Sequence, residues 1–296
     1  MTTAHETYVA VEGGRVYVRT FGSGSKTPIL VLHGGPGFSH TLLLPIRDLA
    51  RDRQVIFYDQ LGSGKSDRPD NLSLWNAARF VRELAQVRQA LHLDRVILLG
   101  ASWGTMLAVD YMLTNPVGVE ALILSSPCLS ARMWKEDADR LRLELPGNVQ
   151  AILLRHEAEG TTESKEYQEA VMEYVKRFAC RINPLPQDVL DAFADANMQV
   201  YIHMWGPSEF HPTGNLKDYD RTRELGRIRV PTLFTCGRYD EATPESTRHY
   251  HSLVPDSEFI VFERSAHMAM IEEPAAYLES IEAFLARHGS ARTSQA

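Results

Sequence analysis

A serine with nearby glycines on both sides stands between an apolar run and a stretch of helical periodicity, in "LLGASWGTML" around Ser102. The pattern G-x-S-x-G between a strand and a helix is typical of a nucleophile elbow, a tight turn that exposes the serine hydroxyl at the edge of a sheet. Glycines are needed in such a turn because side chains there would collide. An ordinary glycine-flanked helix start is the alternative, so the assignment of Ser102 depends on whether the chain supplies partners for it.

A serine nucleophile needs a general base, and the base needs an acid that orients it. His267 lies in "ERSAHMAMIEEP", and Asp240 follows the apolar run "PTLFTCG". The order serine, acid, histidine along the chain is the order expected when the serine stands on such an elbow. We therefore predict a catalytic triad of Ser102, Asp240 and His267. The alternative for His267 is a loop position without function, since the chain has 11 histidines.

A glycine-rich segment, "LVLHGGPGF" at 31–39, follows the first long apolar run. This is the place from which such folds supply the second N–H group of an oxyanion hole. We predict that the backbone N–H groups of Gly35 and Trp103 bind the oxyanion and that Gly34 contacts the substrate. The alternative is a plain Gly-Pro turn.

Two acids stand side by side in "TCGRYDEATPE", Asp240 and Glu241. One acid is enough to orient a histidine. The triad therefore leaves Glu241 without a role. It is either a functional residue or an acid in a loop exposed to solvent.

A second glycine-rich segment, "DQLGSGKSD" at 59–67, resembles a phosphate-binding loop. The pattern G-x-x-x-x-G-K-[ST] requires glycine where Asp59 stands. We interpret the segment as a loop beside the mouth of the catalytic site that binds no nucleotide.

The elements that position these residues follow from two periodicities. Continuous apolar runs such as "PILVLHGG", "QVIFYD", "RVILLG" and "VEALILSS" alternate with helix-period stretches such as 74–92 and 103–115, which predicts an α/β fold with a mostly parallel sheet. Residues 128–218 contain charged helix-like runs and no convincing strand, whereas "PTLFTCG" and "SEFIVFE" continue the sheet pattern. We predict a core in two parts, 1–127 and 219–296, interrupted by a helical cap at 128–218.

Composition narrows the partners. The net charge of -7 argues against nucleic acid, which is bound through basic patches. The three cysteines, Cys128, Cys180 and Cys236, are too far apart in sequence to form a zinc site or a disulfide framework, and we predict no metal and no cofactor. No apolar run reaches the length of a membrane span, and we expect a cytoplasmic protein that does not bind membranes. The sequence gives no prediction of the oligomeric state.

Five segments together resemble the proline iminopeptidase family, serine aminopeptidases of the α/β-hydrolase fold. They are "HGGPG", "DQLGSGKSD", "GASWG", "WGPSEFHPTGNLKDYD" and "GRYDEATPE". The resemblance implies an α/β-hydrolase fold with an inserted cap, the triad and oxyanion hole named above, and two acids that bind the free α-amino group of the substrate. In this chain those acids are Glu209, in "GPSEF", and Glu241.

The activity implied by the resemblance is release of an N-terminal residue, with proline expected, from short peptides or amino-acid amides through an acyl-enzyme. Three alternatives stay open: an L-amino acid amidase, a carboxylesterase or lactonase that does not bind an amine, and a ligand-binding relative without turnover. Epoxide hydrolase and dehalogenase chemistry is disfavoured because those enzymes have a carboxylate where this chain has Ser102. A proline ring needs a small apolar pocket. The candidate lining residues are Phe38, Trp103, Tyr201, Met204, Trp205 and Phe210.

Overall fold

The chain begins with an antiparallel hairpin in a computed structural model that describes residues 4–288. Strands β1 (His5–Val11) and β2 (Gly14–Phe21) are joined at Gly13, whose φ of +98° suits glycine. The hairpin expected from the alternating apolar pattern is confirmed. Residues 1–3 and 289–296 of the two predicted core parts lie outside the described residues.

Six further strands are parallel to one another and extend the hairpin into one sheet. They are β3 (Lys26–Leu32), β4 (Arg53–Tyr58), β5 (Val96–Ala101), β6 (Val119–Ser125), β7 (Thr232–Gly237) and β8 (Ser257–Phe262). The order across the sheet is β1-β2-β4-β3-β5-β6-β7-β8, and β2 pairs with β4 antiparallel. The predicted mostly parallel sheet is confirmed.

The central strands are apolar on both faces because each face is covered by helices. In β3, Leu30 and Leu32 belong to one buried cluster, whereas Ile29 and Val31 belong to the cluster on the opposite face. Successive side chains of a strand point to opposite faces, so a strand buried on both sides has no polar positions. This explains why the sequence shows continuous apolar runs.

In the described part of the chain, ten α-helices cover the sheet and fill the cap. They are α1 (Ala77–Ala90), α2 (Trp103–Met112), α3 (Ala131–Arg142), α4 (Gly147–Glu159), α5 (Lys165–Tyr174), α6 (Gln187–Asp195), α7 (Met198–Met204), α8 (Pro244–Leu253), α9 (Ala269–Glu272) and α10 (Pro274–His288). A turn of wider helix, Val175–Ala179, continues α5. Within residues 4–288, the helices are too short or too polar to cross a membrane.

The segment between β6 and β7 carries α3 to α7, and in the described residues it forms no strand of the sheet. An isolated bridge between Ser130 and Asp220 closes its base. The boundaries of the predicted cap, 128 and 218, stay a prediction.

Helix α2 begins directly against the ends of β3 and β5. A methyl group on Gly104 would lie 2.1 Å from the carbonyl oxygen of Leu32, and one on Gly100 would lie 2.3 Å from the carbonyl oxygen of Gly104. Real Cβ atoms do not approach backbone oxygens so closely, so both positions require glycine. This contact sets the height at which the helix, and Ser102 before it, stands above the sheet.

We expect Gly104→Ala to destabilise the fold by about 1–3 kcal/mol, because the methyl group must push α2 away from β3. The control is Gly147→Ala at the start of α4, where an added methyl group would meet no atom within 4 Å. It should stay within about 1 kcal/mol of the parent. Urea unfolding followed by circular dichroism measures both, and equal midpoints for the two variants would contradict the packing argument.

Candidate active site

Ser102 occupies the turn between β5 and α2 in a strained conformation, with φ 53° and ψ -122°. A side-chain-bearing residue in such a region costs about 1–3 kcal/mol and persists only where its surroundings hold it. Its N–H donates to the carbonyl oxygen of Ser125 at 3.0 Å, and its own carbonyl oxygen accepts the N–H of Thr105 at 2.8 Å. Ser102 lines a cavity of about 70 Å³, which we call the catalytic cavity.

His267 lines the same cavity and is held by Asp240. The Nδ1 atom of His267 lies 2.7 Å from Oδ1 of Asp240. The Asp240 carboxylate also accepts the backbone N–H groups of Ala242, at 2.8 Å, and Gly237, at 3.2 Å. These bonds fix the acid and use Nδ1, which leaves Nε2 as the free ring nitrogen. The structure therefore brings the predicted acid and base into contact and places the base and the predicted nucleophile in the lining of one cavity.

The charge around His267 is strongly negative. Burial by itself lowers the pKa of His267, but the carboxylates of Asp240, Glu241 and Glu209 outweigh burial and raise it to about 9. A cation bound beside Glu209 and Glu241 would offset part of this charge. It would bring the pKa of His267 back toward the range in which the ring serves as a general base near neutral pH.

Glu209 comes from the segment after α7 and Glu241 from the turn after β7, and both line the catalytic cavity. Burial raises the pKa of both carboxyl groups, and the charge of Glu209 raises that of Glu241 further. Glu241 is 1% exposed, and its Oε2 atom has no donor in hydrogen-bond geometry among residues 4–288, although the buried Tyr174 hydroxyl is close enough to lower the pKa of Glu241. Its Oε1 atom lies 3.9 Å from Nδ1 of His267. A buried acceptor without a donor, next to a second acid, suits a ligand that carries positive charge and N–H groups.

Two tryptophans hold Glu209, and sequence reasoning missed the first of them. The Nε1 atom of Trp134 donates to the carbonyl oxygen of Glu209 at 2.8 Å, and that of Trp205 donates to the same oxygen at 3.1 Å. The Trp134 ring also packs edge-on against the His267 ring, with centroids 5.8 Å apart. The only signal in the sequence is a large aromatic residue in the otherwise charged stretch "MWKEDADRL".

The predicted oxyanion-hole residues lie on either side of Ser102. Trp103 is the first residue of α2, and the first N–H groups of a helix have no acceptor within it. Gly35 and Trp103 both line a small cavity with Ser102. A methyl group on Gly34 would lie 3.1 Å from Cβ of Ser102, so a larger residue at this position would crowd the serine.

The segment 59–67 lies behind this site, and Asp59 to Ser63 are buried rather than exposed at its mouth. The Asp59 carboxylate accepts the N–H of Lys65 at 3.0 Å, within the loop where a phosphate would have to sit. Gln60, which sequence reasoning also missed, accepts the Nε1 proton of Trp103 at 2.8 Å and donates to the carbonyl oxygen of His33 at 3.0 Å.

The candidate residues for the apolar pocket fall into four groups. Phe38 lines the catalytic cavity, and Trp103 and Trp205 line the small cavity beside it. Tyr201 lines a larger groove in the cap. Met204 and Phe210 are fully buried in the core and line none of these spaces.

Residues 27–274 match the family described as alpha/beta hydrolase fold. The chain is 52% identical to the proline iminopeptidase of Heyndrickxia coagulans over 282 residues, which cover 95% of this chain and 98% of that protein. It is 38% identical to the proline iminopeptidase of Clostridium botulinum, with 92% of this chain and 94% of that protein covered.

Two solved structures are similar over almost the whole chain. The structure of VinJ superposes with a TM-score of 0.93 at 35% identity, and covers 96% of this chain and 99% of its own. The proline iminopeptidase of Mycobacterium smegmatis superposes with a TM-score of 0.88 at 34% identity and the same coverage. The chain therefore belongs to the proline iminopeptidase family, a branch of the α/β-hydrolase fold.

Proposed function

We propose that this protein is a serine aminopeptidase that releases N-terminal proline from short peptides or amino-acid amides. The observation that carries the proposal is the pair Glu209 and Glu241, which faces the same cavity as Ser102 and includes the unpartnered Glu241 Oε2 atom. Two relatives, 52% and 38% identical, are named proline iminopeptidases and support it.

The amine of the substrate binds first. An N-terminal proline carries a secondary ammonium group with two N–H donors, and burying it without partners would cost several kcal/mol. Glu209 and Glu241 supply both charge and acceptors. Since they lie at fixed places around the cavity, they set how far the substrate enters and bring its first carbonyl carbon to Ser102.

The proposed reaction then follows the roles of the triad. His267 takes the hydroxyl proton of Ser102 at Nε2, and the serine oxygen attacks the carbonyl carbon. The N–H groups of Gly35 and Trp103 stabilise the oxyanion, while Asp240 keeps the ring in place. His267 passes its proton to the leaving amine, and a prolyl ester of Ser102 remains. Water, deprotonated by His267, hydrolyses this ester and releases proline.

The size of the catalytic cavity limits the first residue. It holds about 70 Å³ and has apolar walls that include Phe38, Leu43 and Met268. A compact apolar ring fits such a space better than a long or charged side chain. We propose proline as the preferred residue on this ground.

We further propose that the enzyme works in the cytoplasm on small peptide or amide substrates. The cysteines Cys128, Cys180 and Cys236 are all buried as free thiols, which suits a reducing compartment. Burial is the main cause that raises the pKa of all three thiols, so they are poor nucleophiles.

Proline amide and its N-acetylated analogue test the proposal directly. We expect the free amine to be hydrolysed with a much higher kcat/KM, because only it pairs with the two acids. Ser102→Ala should lower turnover by about 10⁶-fold and abolish labelling by a fluorophosphonate probe. Ser252→Ala, at an exposed position of α8, is the control and should behave as the parent. Equal rates for the two substrates would instead favour an esterase.

The neighbouring acids should separate in a second experiment. Asp240→Asn should lower kcat on every substrate by about 10⁴-fold, since the ring loses its correct tautomer. Glu241→Gln should impair only substrates with a free amine.

On an ester without an amine, Glu241→Gln should also move the acid limb of the kcat/KM profile to lower pH. The reason is that the Glu241 charge raises the pKa of His267, so that its removal lets the ring lose its proton at lower pH. A profile that stays in place, or equal losses for both variants on this ester, would contradict the division of roles.

A further inference from the structure

A groove of about 890 Å³ crosses the helices above the site. We call it the cap groove. It shares Phe38, Val175, Phe193 and Glu209 with the catalytic cavity, so the two spaces meet at these residues. Another surface pocket, of about 530 Å³, has no lining residue in common with the catalytic cavity. The cap groove is therefore more than ten times larger than the catalytic cavity, which it adjoins at these four residues.

The walls of the cap groove are largely apolar although they are open to solvent. Ile202 and Met198, on α7, are 49% and 40% exposed, and Val171 and Met172 of α5 stand opposite them in the lining. Apolar side chains left exposed around a concave space are typical of a binding site.

The charges of the cap groove do not suit an anion. Among residues 4–288, no lysine or arginine lines it, its acids are Glu157, Glu163 and Glu209, and its one histidine, His211, lies 4.0 Å from the Glu157 carboxylate. Arg142 is paired with Glu157 at 3.0 Å. A carboxylate in this groove would meet three acids and no lysine or arginine among the described lining residues.

We propose that the cap groove binds the leaving group of the substrate, and that this group is a large apolar amine without a carboxylate. The inference rests on the proposed function. If the α-amine is fixed at Glu209 and Glu241 and the first residue fills the catalytic cavity, everything beyond the scissile bond must leave that cavity. The cap groove is the adjoining space of sufficient size. Its apolar walls and its acids favour an apolar leaving group without a carboxylate.

A series of prolyl N-alkylamides tests this with the parent enzyme. Methylamine, butylamine and octylamine have nearly equal basicity, so the bond-breaking chemistry stays constant while the buried apolar surface grows. We expect kcat/KM to rise at least about tenfold from methyl to octyl, mainly through KM. A flat series hydrolysed through Ser102 would overturn the groove proposal and leave the proposed function intact. Hydrolysis of none of the three would overturn both.

Ile202→Asp should lower kcat/KM for the octylamide more than for the methylamide and so abolish the advantage of the octylamide, because it places a charge on the apolar groove wall. The matched control is Leu190→Asp on α6, which is 41% exposed and does not line the groove. An octylamide advantage that survives Ile202→Asp would overturn the proposal.

The proposed exclusion of a carboxylate from the groove is tested by comparing kcat/KM for prolyl-leucine and prolyl-leucinamide. We expect the higher kcat/KM for prolyl-leucinamide. Gln168→Lys, which adds a cation to the groove wall, should narrow the difference at least about twofold, whereas Gln187→Lys on the exposed side of α6 should not. Equal kcat/KM for the two peptides in the parent enzyme would overturn the claim that a carboxylate is disfavoured.

A separate set of hydrogen bonds concerns Gln60, which joins the two segments that carry the predicted oxyanion donors. Its Oε1 atom accepts the Nε1 proton of Trp103 at 2.8 Å, and its Nε2 atom donates to the carbonyl oxygen of His33 at 3.0 Å. Its backbone N–H donates to Nε2 of His33 at 2.9 Å. The next residue is anchored as well, since the N–H of Leu61 donates to the buried carboxylate of Glu83 at 3.3 Å.

We infer that Gln60 is a positioning residue for the oxyanion hole. Gln60 is 1% exposed and lines neither the catalytic cavity nor the small cavity beside it. Its two side-chain hydrogen bonds instead fix the distance between Trp103 and the end of the strand that leads into Gly34 and Gly35. Donors aimed at a developing oxyanion act only if they are held in place before the reaction.

Gln60→Leu and Trp103→Phe each remove the bond between these side chains. We expect each to lower kcat about tenfold to 100-fold on proline amide with KM little changed, and to slow labelling by the fluorophosphonate to a similar degree. The double variant should lose no more than the larger single loss, because both changes break one interaction. Losses that multiply in the double variant, or folded single variants with unchanged kcat, would overturn the inference.

Discussion

A cluster of three carboxylates around one imidazole, two of them buried and that of Glu209 partly exposed, is the constraint on which this site depends. Asp240, Glu241 and Glu209 all raise the pKa of His267, and burial raises the pKa of the last two acids themselves. Such a cluster is unfavourable without a cation, because charge is expensive to bury unless it is paired. The proposed substrate brings that cation in its ammonium group. Recognition and activation are thus linked, since the charge that selects the substrate is the charge that adjusts the base.

The sheet provides the frame for this cluster. Ser102 follows β5, Asp240 follows β7 and His267 follows β8, so all three stand at the carboxyl ends of parallel strands. Parallel strands end at the same edge of a sheet, and loops there converge. This is why the order of motifs along the chain was enough to predict which of eleven histidines would contact Asp240. The fold was predictable for a related reason, since strands buried on both faces leave unbroken apolar runs.

The contacts that sequence reasoning missed are all between segments far apart in the chain. Trp134 reaches Glu209 across 75 positions, and Gln60 reaches Trp103 across 43. Neither Trp134 nor Gln60 lies in a periodic pattern or a local motif that would indicate its partner. The partners come into contact only when whole helices and strands pack together. Glu241 was different: its neighbour Asp240 drew attention to it, but only the family resemblance suggested what it binds. The cap boundaries stay predictions for the same reason, as helices alone do not mark where one part ends.

The two acids that we propose to bind the amine are supported by different parts of the chain. Glu241 belongs to the turn after β7 that also contains Asp240. The backbone carbonyl oxygen of Glu209, in contrast, accepts hydrogen bonds from the indole N–H groups of Trp134 and Trp205. A small displacement of the segment around Glu209 would therefore separate the anchors and leave the bond between His267 and Asp240 intact. In the proposed function, substrate selection by Glu209 and hydrolysis by His267 and Asp240 therefore depend on different contacts. Such an enzyme would lose its discrimination between substrates before it lost its power to hydrolyse them.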